Sequence, residues 1–309
     1  REGFRYTAIH TGKLRRYLSI QNMLDVFKVL FGTMESFFFL LKQKRKGLLV
    51  FSTGGFVSVP VAISAWLLRI PLYIHEQTTR VGLANRIASR FADKVFISFE
   101  SSRSFFPSGK TYISGYPVRK AFFESSQAED LVLKEINVSR QKKPLFFITG
   151  GGNGSGLLNE KVFEELEELK KDYVIIHQVG KVFIDQYKNL KSDSYIPLAF
   201  LGGEMVDIMK NADFILSRAG AGTVAELLAL KKPSVFVPLK IAQKNEQLHN
   251  AQEAQIKLGS LVVEEDDFRE SSLTNLLEEL KQKKLPSENK ELSFFQSGTD
   301  YLLREICDS

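Results

Sequence analysis

The chain has 309 residues, of which 44% are hydrophobic and 25% charged. This composition is typical of a globular protein, and the chain is long enough for two domains. The single cysteine, Cys307, excludes an intramolecular disulfide, and the sequence contains no uninterrupted apolar run of the ~20 residues that a membrane span needs. Residues 1–120 hold 19 Lys and Arg against 6 Asp and Glu, so the net charge of +6 is unevenly distributed along the chain. The first half therefore either faces an anionic partner, nucleic acid or membrane, or carries an uneven distribution of solvated surface charge.

The first predicted element is a helix at residues 22–46, rich in phenylalanine and ending in a basic cluster. Four consecutive apolar residues, 37–40, cannot all face one core. The helix therefore either dips its apolar face into lipid headgroups or is buried in the first domain.

Short apolar runs then alternate with helical segments, which is typical of parallel strands covered on both faces and predicts an α/β fold with doubly wound domains. A polar stretch with one helical segment, "AEDLVLKEI", separates two series of strands. We expect an N-terminal domain at 1–120, a linker at 121–143, a C-terminal domain at 144–285 and a terminal helix at 286–309 that packs on either domain. The predicted strands are 48–52, 71–75, 94–98, 111–114, 145–149, 173–179, 213–217, 234–239 and 260–263.

Three predicted strands lead through glycine-rich turns into helices. These turns are "STGGFVSVP" (52–60), "TGGGNGSG" (149–156) and "SRAGAGTVAE" (217–226). Glycine lets backbone N–H groups approach a ligand closely, and a helix N-terminus favours an anion, so phosphate is the expected ligand. The second turn is not a P-loop, because Leu157 stands where the motif requires lysine.

The third turn matches the dinucleotide fingerprint, but the next strand lacks the acidic residue that an NAD site requires. Glu226 lies one turn inside the following helix, where it either accepts hydrogen bonds from ribose hydroxyls or is an ordinary first-turn glutamate. His75 and Glu76 end another strand and suit general acid–base chemistry, unless His75 is a structural histidine. No metal site is predicted, because the four histidines lack ligand spacing.

Taken together, these motifs resemble the MurG family of peptidoglycan glycosyltransferases over most of residues 48–265. The residues that carry the resemblance are "STGGFVSVP", "IHEQTTRVGLANRIASRFADKVFISFE", "SGYPVRK", "FFITGGGNGSGLLNE", "ADFILSRAGAGTVAELLALKKPSVFVPL" and "NEQLHNAQ". The resemblance implies two Rossmann-like domains with an interdomain cleft, the GT-B-type architecture. It also implies a peripheral protein on the cytoplasmic face of the cell membrane, with an anionic lipid surface and no nucleic acid as partner.

The activity that the resemblance implies is transfer of N-acetylglucosamine from UDP-N-acetylglucosamine to an undecaprenyl-diphosphate-linked muramyl pentapeptide, which converts lipid I to lipid II with inversion and without metal or cofactor. Three alternatives remain: a diacylglycerol glycosyltransferase, a UDP-sugar epimerase, and a catalytically incomplete remnant that only binds a UDP-sugar.

The resemblance also assigns site residues. On the donor side, Glu226 is expected at the ribose, Ala221, Gly222 and Thr223 at the diphosphate, Leu201 at the uracil, Gln247 at the donor sugar, and Arg119, Gly152 and Asn153 along the site. On the acceptor side the expected residues are Gly54, Gly55, Thr78 and Asn85, with His75 and Glu76 as candidate catalytic residues.

The chain departs from the family pattern at three places. Gly152 stands where many members have serine, so that hydroxyl contact is lost or replaced by Asn153 or Ser155. Thr78 stands where members carry Asn or Asp. The base favoured in the family is a histidine after an N-terminal glycine-rich loop, and we expect this chain, which starts at Arg1, to begin beyond that motif.

Overall fold

The computed structural model describes residues 5–12, 20–124, 132–133, 136–137, 142–240, 245–283 and 292–307. The chain divides into unit 1, Arg1–Tyr116 with Ser297–Ser309, and unit 2, Pro117–Gln296. The strands are β1 Val50–Ser52, β2 Leu72–Glu76, β3 Lys94–Ile97, β4 Thr111–Ile113, β5 Val132–Leu133, β6 Ile136–Asn137, β7 Leu145–Thr149, β8 Val174–Gln178, β9 Tyr195–Leu198, β10 Phe214–Ser217, β11 Val235–Phe236 and β12 Leu261–Val262. The α-helices are α1 Ile20–Gln43, α2 Ser58–Leu67, α3 Leu83–Ala88, α4 Gly156–Glu164, α5 Leu166–Asp172, α6 Ile184–Tyr187, α7 Met205–Asn211, α8 Ala221–Leu230, α9 Glu246–Leu258, α10 Glu265–Glu270, α11 Leu273–Gln282 and α12 Leu292–Cys307.

Unit 1 is built on a parallel sheet with the strand order β1-β2-β3-β4. Every residue of β2 is buried, as expected for a parallel strand covered on both faces. The apolar side chains of α2 pack on this sheet, and Leu40 of α1 joins the same core. At the chain's end, Leu302 of α12 packs with Tyr73 and Phe96, and Lys94 forms a 2.6 Å ion pair with Glu305.

Unit 2 is built on a parallel sheet with the strand order β12-β11-β10-β7-β8-β9. The chain adds β8 and β9 on one side of β7 and then returns to add β10, β11 and β12 on the other. All residues of β7 and β8 are buried, and helices α4 and α11 contribute leucines to the core over one face. The predicted α/β class with two parallel sheets is therefore confirmed, and the strand order of the unit 2 sheet is doubly wound.

The boundary between the units differs from the expected one at residue 120, because the segment after Tyr116 packs with unit 2. Val118 and Phe122 are buried there, and the ammonium group of Lys210 on α7 donates to the Ala121 and Glu124 carbonyl oxygens. Part of the expected linker lies outside the described residues. Its described parts, β5 and β6, form an antiparallel pair where a helical segment was predicted.

Among the described residues, no helix combines the length and the apolar character that crossing a membrane requires.

Candidate functional site

The glycine-rich turns of unit 2 meet at the point where its strand order reverses. Strands β7 and β10 are neighbours, and their last residues, Thr149 and Ser217, are paired in register. The turn after β7, residues 150–155, is called loop A here, and the turn after β10, residues 218–220, loop B. In open α/β sheets, ligands bind outside the carboxyl ends of the strands at such a switch point.

Loop A is shaped by glycines that approach other backbone closely. A Cβ on Gly154 would lie 2.0 Å from the Val179 carbonyl oxygen, so no side chain fits there. Gly152 is different, because a Cβ there would meet only the Phe200 ring, at an ordinary 3.8 Å. Gly152 and Asn153 are exposed at the tip of the loop. The Phe200 ring, which lies beside Gly152, belongs to the residue that precedes Leu201.

Loop B leads directly into α8, for which Gly220 is the N-cap residue. Ala221, Gly222 and Thr223 form the first turn, where backbone N–H groups have no partner within the helix. These groups and the positive end of the helix dipole attract an anion. The three residues predicted for the diphosphate are thus placed together on one helix N-terminus.

Glu226 lies one turn further along α8, with 19% of its side chain exposed. An Nη2 group of Arg119 is 3.4 Å from its Oε1 atom, and the same guanidinium lies 5.2 Å from the centre of the Phe122 ring. Burial raises the pKa of Glu226, and the charge of Arg119 opposes that rise. The structure therefore brings Arg119, Glu226 and the α8 N-terminus together in unit 2.

Gln247 has a partner within the protein. Its Oε1 atom accepts a hydrogen bond from the Leu239 N–H at 3.0 Å, which ties α9 to the segment after β11. Asn250, on the same helix face, donates to the Ala219 carbonyl of loop B at 3.2 Å. Leu201 is buried after β9. The predicted roles of Gln247 and Leu201 stay predictions.

Arg218 is a residue that the motif reading did not single out. It is the first residue of loop B, and its side chain bonds to Ser155, Val237 and Glu265. In the sequence, Arg218 is only an arginine between a predicted buried strand and a glycine-rich turn. That pattern does not indicate which residues its side chain contacts.

A buried hydrogen-bond network around His177 reaches the Val179 carbonyl group, which lies against Gly154 of loop A. His177 contacts Asn159 Oδ1 through Nε2 and the Tyr195 hydroxyl through Nδ1, each at 3.0 Å. Asn159 donates to the Val179 carbonyl at 3.0 Å, so its Oδ1 atom accepts the imidazole proton. Complete burial lowers the pKa of His177 to about 3, and the ring is therefore neutral.

The residues predicted for the acceptor side lie in unit 1, and several of them form a hydrogen-bonded group around Glu76. Its Oε1 atom accepts from the backbone N–H of Thr78 at 3.1 Å and lies 2.9 Å from the Thr78 hydroxyl. Its Oε2 atom accepts from Asn85 Nδ2 at 2.9 Å. Asn85 packs on Gly54, where a Cβ would lie 2.9 Å from the same nitrogen. Gly55 follows with a φ of 87°, in the left-handed region that glycine adopts readily.

His75 is fully buried beside this group. Its Nε2 atom lies 3.2 Å from the Gly115 carbonyl oxygen and 3.1 Å from Ser98 Oγ. A carbonyl only accepts, so Nε2 carries the proton, and burial lowers the pKa of His75 to about 4. His75 is thus neutral, and Glu76 is already bonded through both oxygens. Acid–base chemistry by this pair stays a prediction, and in this geometry Glu76 joins the segments that carry Thr78 and Asn85.

Helix α1 presents an exposed apolar face. Val29, Ser36 and Leu40 are buried on one side of the helix, and large apolar side chains at helical spacing are exposed on the other. The exposed side chains are Phe27, Leu30, Phe31, Met34, Phe38 and Leu41. Trp66 and Leu67, at the end of α2, are exposed as well. Within the ranges described, no group of three or more His, Cys, Asp or Glu residues could hold a metal ion.

Comparison with known proteins identifies relatives of both units. The model of the glycosyltransferase family 28 C-terminal domain matches residues 145–302, and that of the family's N-terminal domain matches residues 1–97. A Bacillus cereus protein named UDP-N-acetylglucosamine–N-acetylmuramyl-(pentapeptide) pyrophosphoryl-undecaprenol N-acetylglucosamine transferase 2 is 40% identical over 283 residues, covering 91% of this chain and 79% of that protein. A Clostridium tetani transferase of the same name, without the final numeral, is 36% identical over 98% of this chain and 84% of its own length.

Solved structures show the same likeness. The crystal structure of Acinetobacter baumannii MurG has a TM-score of 0.65 at 25% identity, covering 97% of this chain and 83% of that one. The UDP-GlcNAc 2-epimerase from Neisseria meningitidis bound to UDP-GlcNAc has a TM-score of 0.63 at 17% identity, covering 96% and 84%. At that identity the second likeness concerns the fold alone.

Proposed function

The chain belongs to glycosyltransferase family 28, and we propose that it transfers N-acetylglucosamine from UDP-N-acetylglucosamine to the undecaprenyl-diphosphate-linked muramyl pentapeptide, as its relatives are named to do. The observation that carries this proposal is the donor-side arrangement of unit 2. It combines a half-buried carboxylate, Glu226, with a helix N-terminus at the switch point of the sheet.

The donor nucleotide is expected to bind with its ribose at Glu226 and its diphosphate at the start of α8. A carboxylate accepts hydrogen bonds from two adjacent hydroxyls, and the free N–H groups of residues 221–223 match the phosphate oxygens. Arg119, whose Nη2 atom lies 3.4 Å from Glu226 Oε1, adds a positive charge at this place. The Leu201 backbone is expected to contact the uracil, and Gln247 is expected to contact the donor sugar.

The chemical step breaks the bond between C1 of the sugar and the donor diphosphate. The acceptor hydroxyl attacks C1 from the opposite face and loses its proton to a base, so the anomeric centre inverts. Negative charge develops on UDP as it leaves, and fixed N–H donors at the α8 N-terminus stabilise that charge without reorganising. In unit 1, Glu76 and Asn85 fix the loop around Gly54, where we place the acceptor.

We further propose that unit 1 binds an anionic membrane surface through the exposed face of α1. Its aromatic side chains enter the headgroup region, and Lys44, Arg45 and Lys46, which follow the helix, attract anionic lipid. The surplus of 13 basic charges in residues 1–120 supports this orientation. We place the protein on the cytoplasmic face, where nucleotide sugars are available.

The experiment that tests the transfer reaction compares three conditions with radiolabelled UDP-N-acetylglucosamine: lipid I as acceptor, diacylglycerol as acceptor, and no acceptor. We expect label in the lipid product only with lipid I. Transfer to diacylglycerol alone would identify a sibling glycosyltransferase, and conversion of the sugar without any acceptor would identify an epimerase. UDP binding with no turnover in any condition would identify a binding-only protein.

A further inference from the structure

Arg218 connects three segments of unit 2. Only 11% of its side chain is exposed. Its Nε donates to Ser155 Oγ at 3.0 Å, and its Nη1 donates to the Val237 carbonyl oxygen at 3.0 Å. The same Nη1 lies 2.7 Å from Glu265 Oε1. One guanidinium therefore joins the end of loop A, the segment after β11 and the start of α10.

Ser155 is the partner that joins Arg218 to loop A. It is the N-cap residue of α4, and its Oγ accepts a 3.5 Å hydrogen bond from the Leu158 N–H in addition to the one from Arg218. Only 7% of the residue is exposed. Two accepted bonds occupy both lone pairs of the hydroxyl oxygen, so the side chain is fixed in orientation.

Loop A has few other side-chain attachments. Residues 150, 151, 152 and 154 are glycines, and Asn153 is exposed. At the start of the loop, the Gly151 N–H donates to Thr149 Oγ1 at 3.0 Å, and the Gly151 carbonyl oxygen accepts from Gln178 Nε2 at 3.2 Å. Because glycine backbone is intrinsically permissive, the position of the exposed tip depends on how the two ends are held. Ser155 holds the second end, and it does so against loop B.

We infer that Arg218 and Ser155 are a positioning pair for the donor diphosphate, which keeps loop A in register with loop B and the α8 N-terminus. The inference rests on the proposed function, because it concerns the affinity of that donor site. Neither residue needs to touch the donor. Their effect passes through the loops, and small displacements of positioned groups cost about 10²-fold in the most sensitive cases.

The test compares Ser155→Ala, Ser155→Thr and a matched control, Ser272→Ala. Ser272 precedes α11 in the same unit, and its hydroxyl donates to Glu165 Oε2 at 3.1 Å, so its loss also removes a hydrogen bond at a helix start. UDP affinity is measured by calorimetry, the KM for UDP-N-acetylglucosamine and kcat in the transfer assay, and Tm by thermal unfolding.

We expect Ser155→Ala to weaken UDP binding and raise KM about tenfold, with a smaller change in kcat. Ser155→Thr retains the oxygen and should bind UDP as the unsubstituted protein does. Ser272→Ala should lower Tm without changing UDP affinity. Arg218→Lys keeps a positive charge beside Glu265 but cannot reach all three partners, so it should weaken UDP binding at least as much as Ser155→Ala.

Unchanged UDP affinity in both Ser155→Ala and Arg218→Lys, in a protein that binds UDP, would overturn the inference and leave the proposed function intact. Loss of affinity in Ser272→Ala equal to that in Ser155→Ala would also overturn it, because the effect would then follow stability. Absence of UDP binding by the unsubstituted protein would overturn the proposed function and the inference together.

Discussion

Replacement of Glu226 by alanine tests the proposed donor site through its effect on UDP affinity. In the proposed complex the carboxylate accepts hydrogen bonds from both ribose hydroxyls. Hydrogen bonds to a charged group contribute about 1.5–3 kcal/mol each, and we take about 3 kcal/mol for the pair, because they share one partly solvated carboxylate. Binding also disturbs the Arg119–Glu226 ion pair, which is 3.4 Å long with 49% of the arginine side chain exposed. Such a pair contributes at most about 1 kcal/mol.

The net loss for Glu226→Ala is therefore about 2 kcal/mol, which corresponds to about 30-fold weaker UDP binding. Isothermal titration calorimetry with UDP measures this directly. Glu278→Ala is the matched control, because Glu278 is an exposed glutamate on α11 that pairs with Lys281. If Glu226→Ala bound UDP within about twofold of the unsubstituted protein, Glu226 would not be the ribose-binding residue.

Three further predictions concern unit 1. Replacing Phe31 and Phe38 by serine should weaken binding to anionic vesicles, measured by vesicle sedimentation, about tenfold or more. The control is Phe163→Ser, because Phe163 is an exposed phenylalanine of unit 2, and this variant should bind vesicles as the unsubstituted protein does. An equal loss of vesicle binding in both variants would contradict the proposed membrane face. Burial lowers the pKa of His75 from 6.5 to about 4, so the unfolded chain takes up a proton more readily, and the stability that neutral His75 contributes is fully present above pH 6.5 and is lost as the pH falls toward 4. In urea unfolding between these pH values, the free energy of unfolding should fall less for His75→Gln than for the unsubstituted protein. An equal fall in both proteins would contradict the lowered pKa of His75. Gly54 has a φ of 99°, and a Cβ at this position would lie 2.9 Å from Asn85 Nδ2. Gly54→Ala should therefore lower kcat/KM for the lipid acceptor more than it lowers the affinity for UDP. An unchanged kcat/KM would show that this loop does not position the acceptor.

The parallel strands were largely predictable, because a parallel strand covered on both faces is a nearly continuous apolar run. Strand β7 coincides with its predicted range, and β8 and β10 lie within theirs. Strand β9 was missed: it contains Pro197, which weakens a strand pattern, and the structure places it at the edge of its sheet, where proline is tolerated.

The glycine turns could be predicted from sequence, but the contacts that organise them could not. Glycines between a strand and a helix mark close backbone approach wherever they occur. The bond from Arg218 to Ser155 joins residues 63 positions apart, and it exists only because β7 and β10 are neighbours in the sheet. The contacts of Glu76 with Thr78 and Asn85 likewise depend on how the chain turns after β2. Periodicity carries no information about such contacts.

The domain boundary shows the same limit. Composition favoured a linker at 121–143, because that stretch is polar and charged. The structure assigns residues from Pro117 onward to unit 2, since Val118 and Phe122 are buried and Lys210 bonds to the Ala121 and Glu124 carbonyls. Arg119 thereby comes within reach of Glu226, which sequence distance alone does not suggest.

The proposed reaction is tested by the initial rate of N-acetylglucosamine transfer to lipid I, measured by mass spectrometry of the lipid product, for the unsubstituted protein and for its Glu226→Ala variant. We expect one N-acetylglucosamine added per lipid I molecule, with kcat/KM for the donor reduced about 30-fold in the variant. No addition to lipid I by the unsubstituted protein, or equal rates for the two proteins at donor concentrations well below KM, would contradict it.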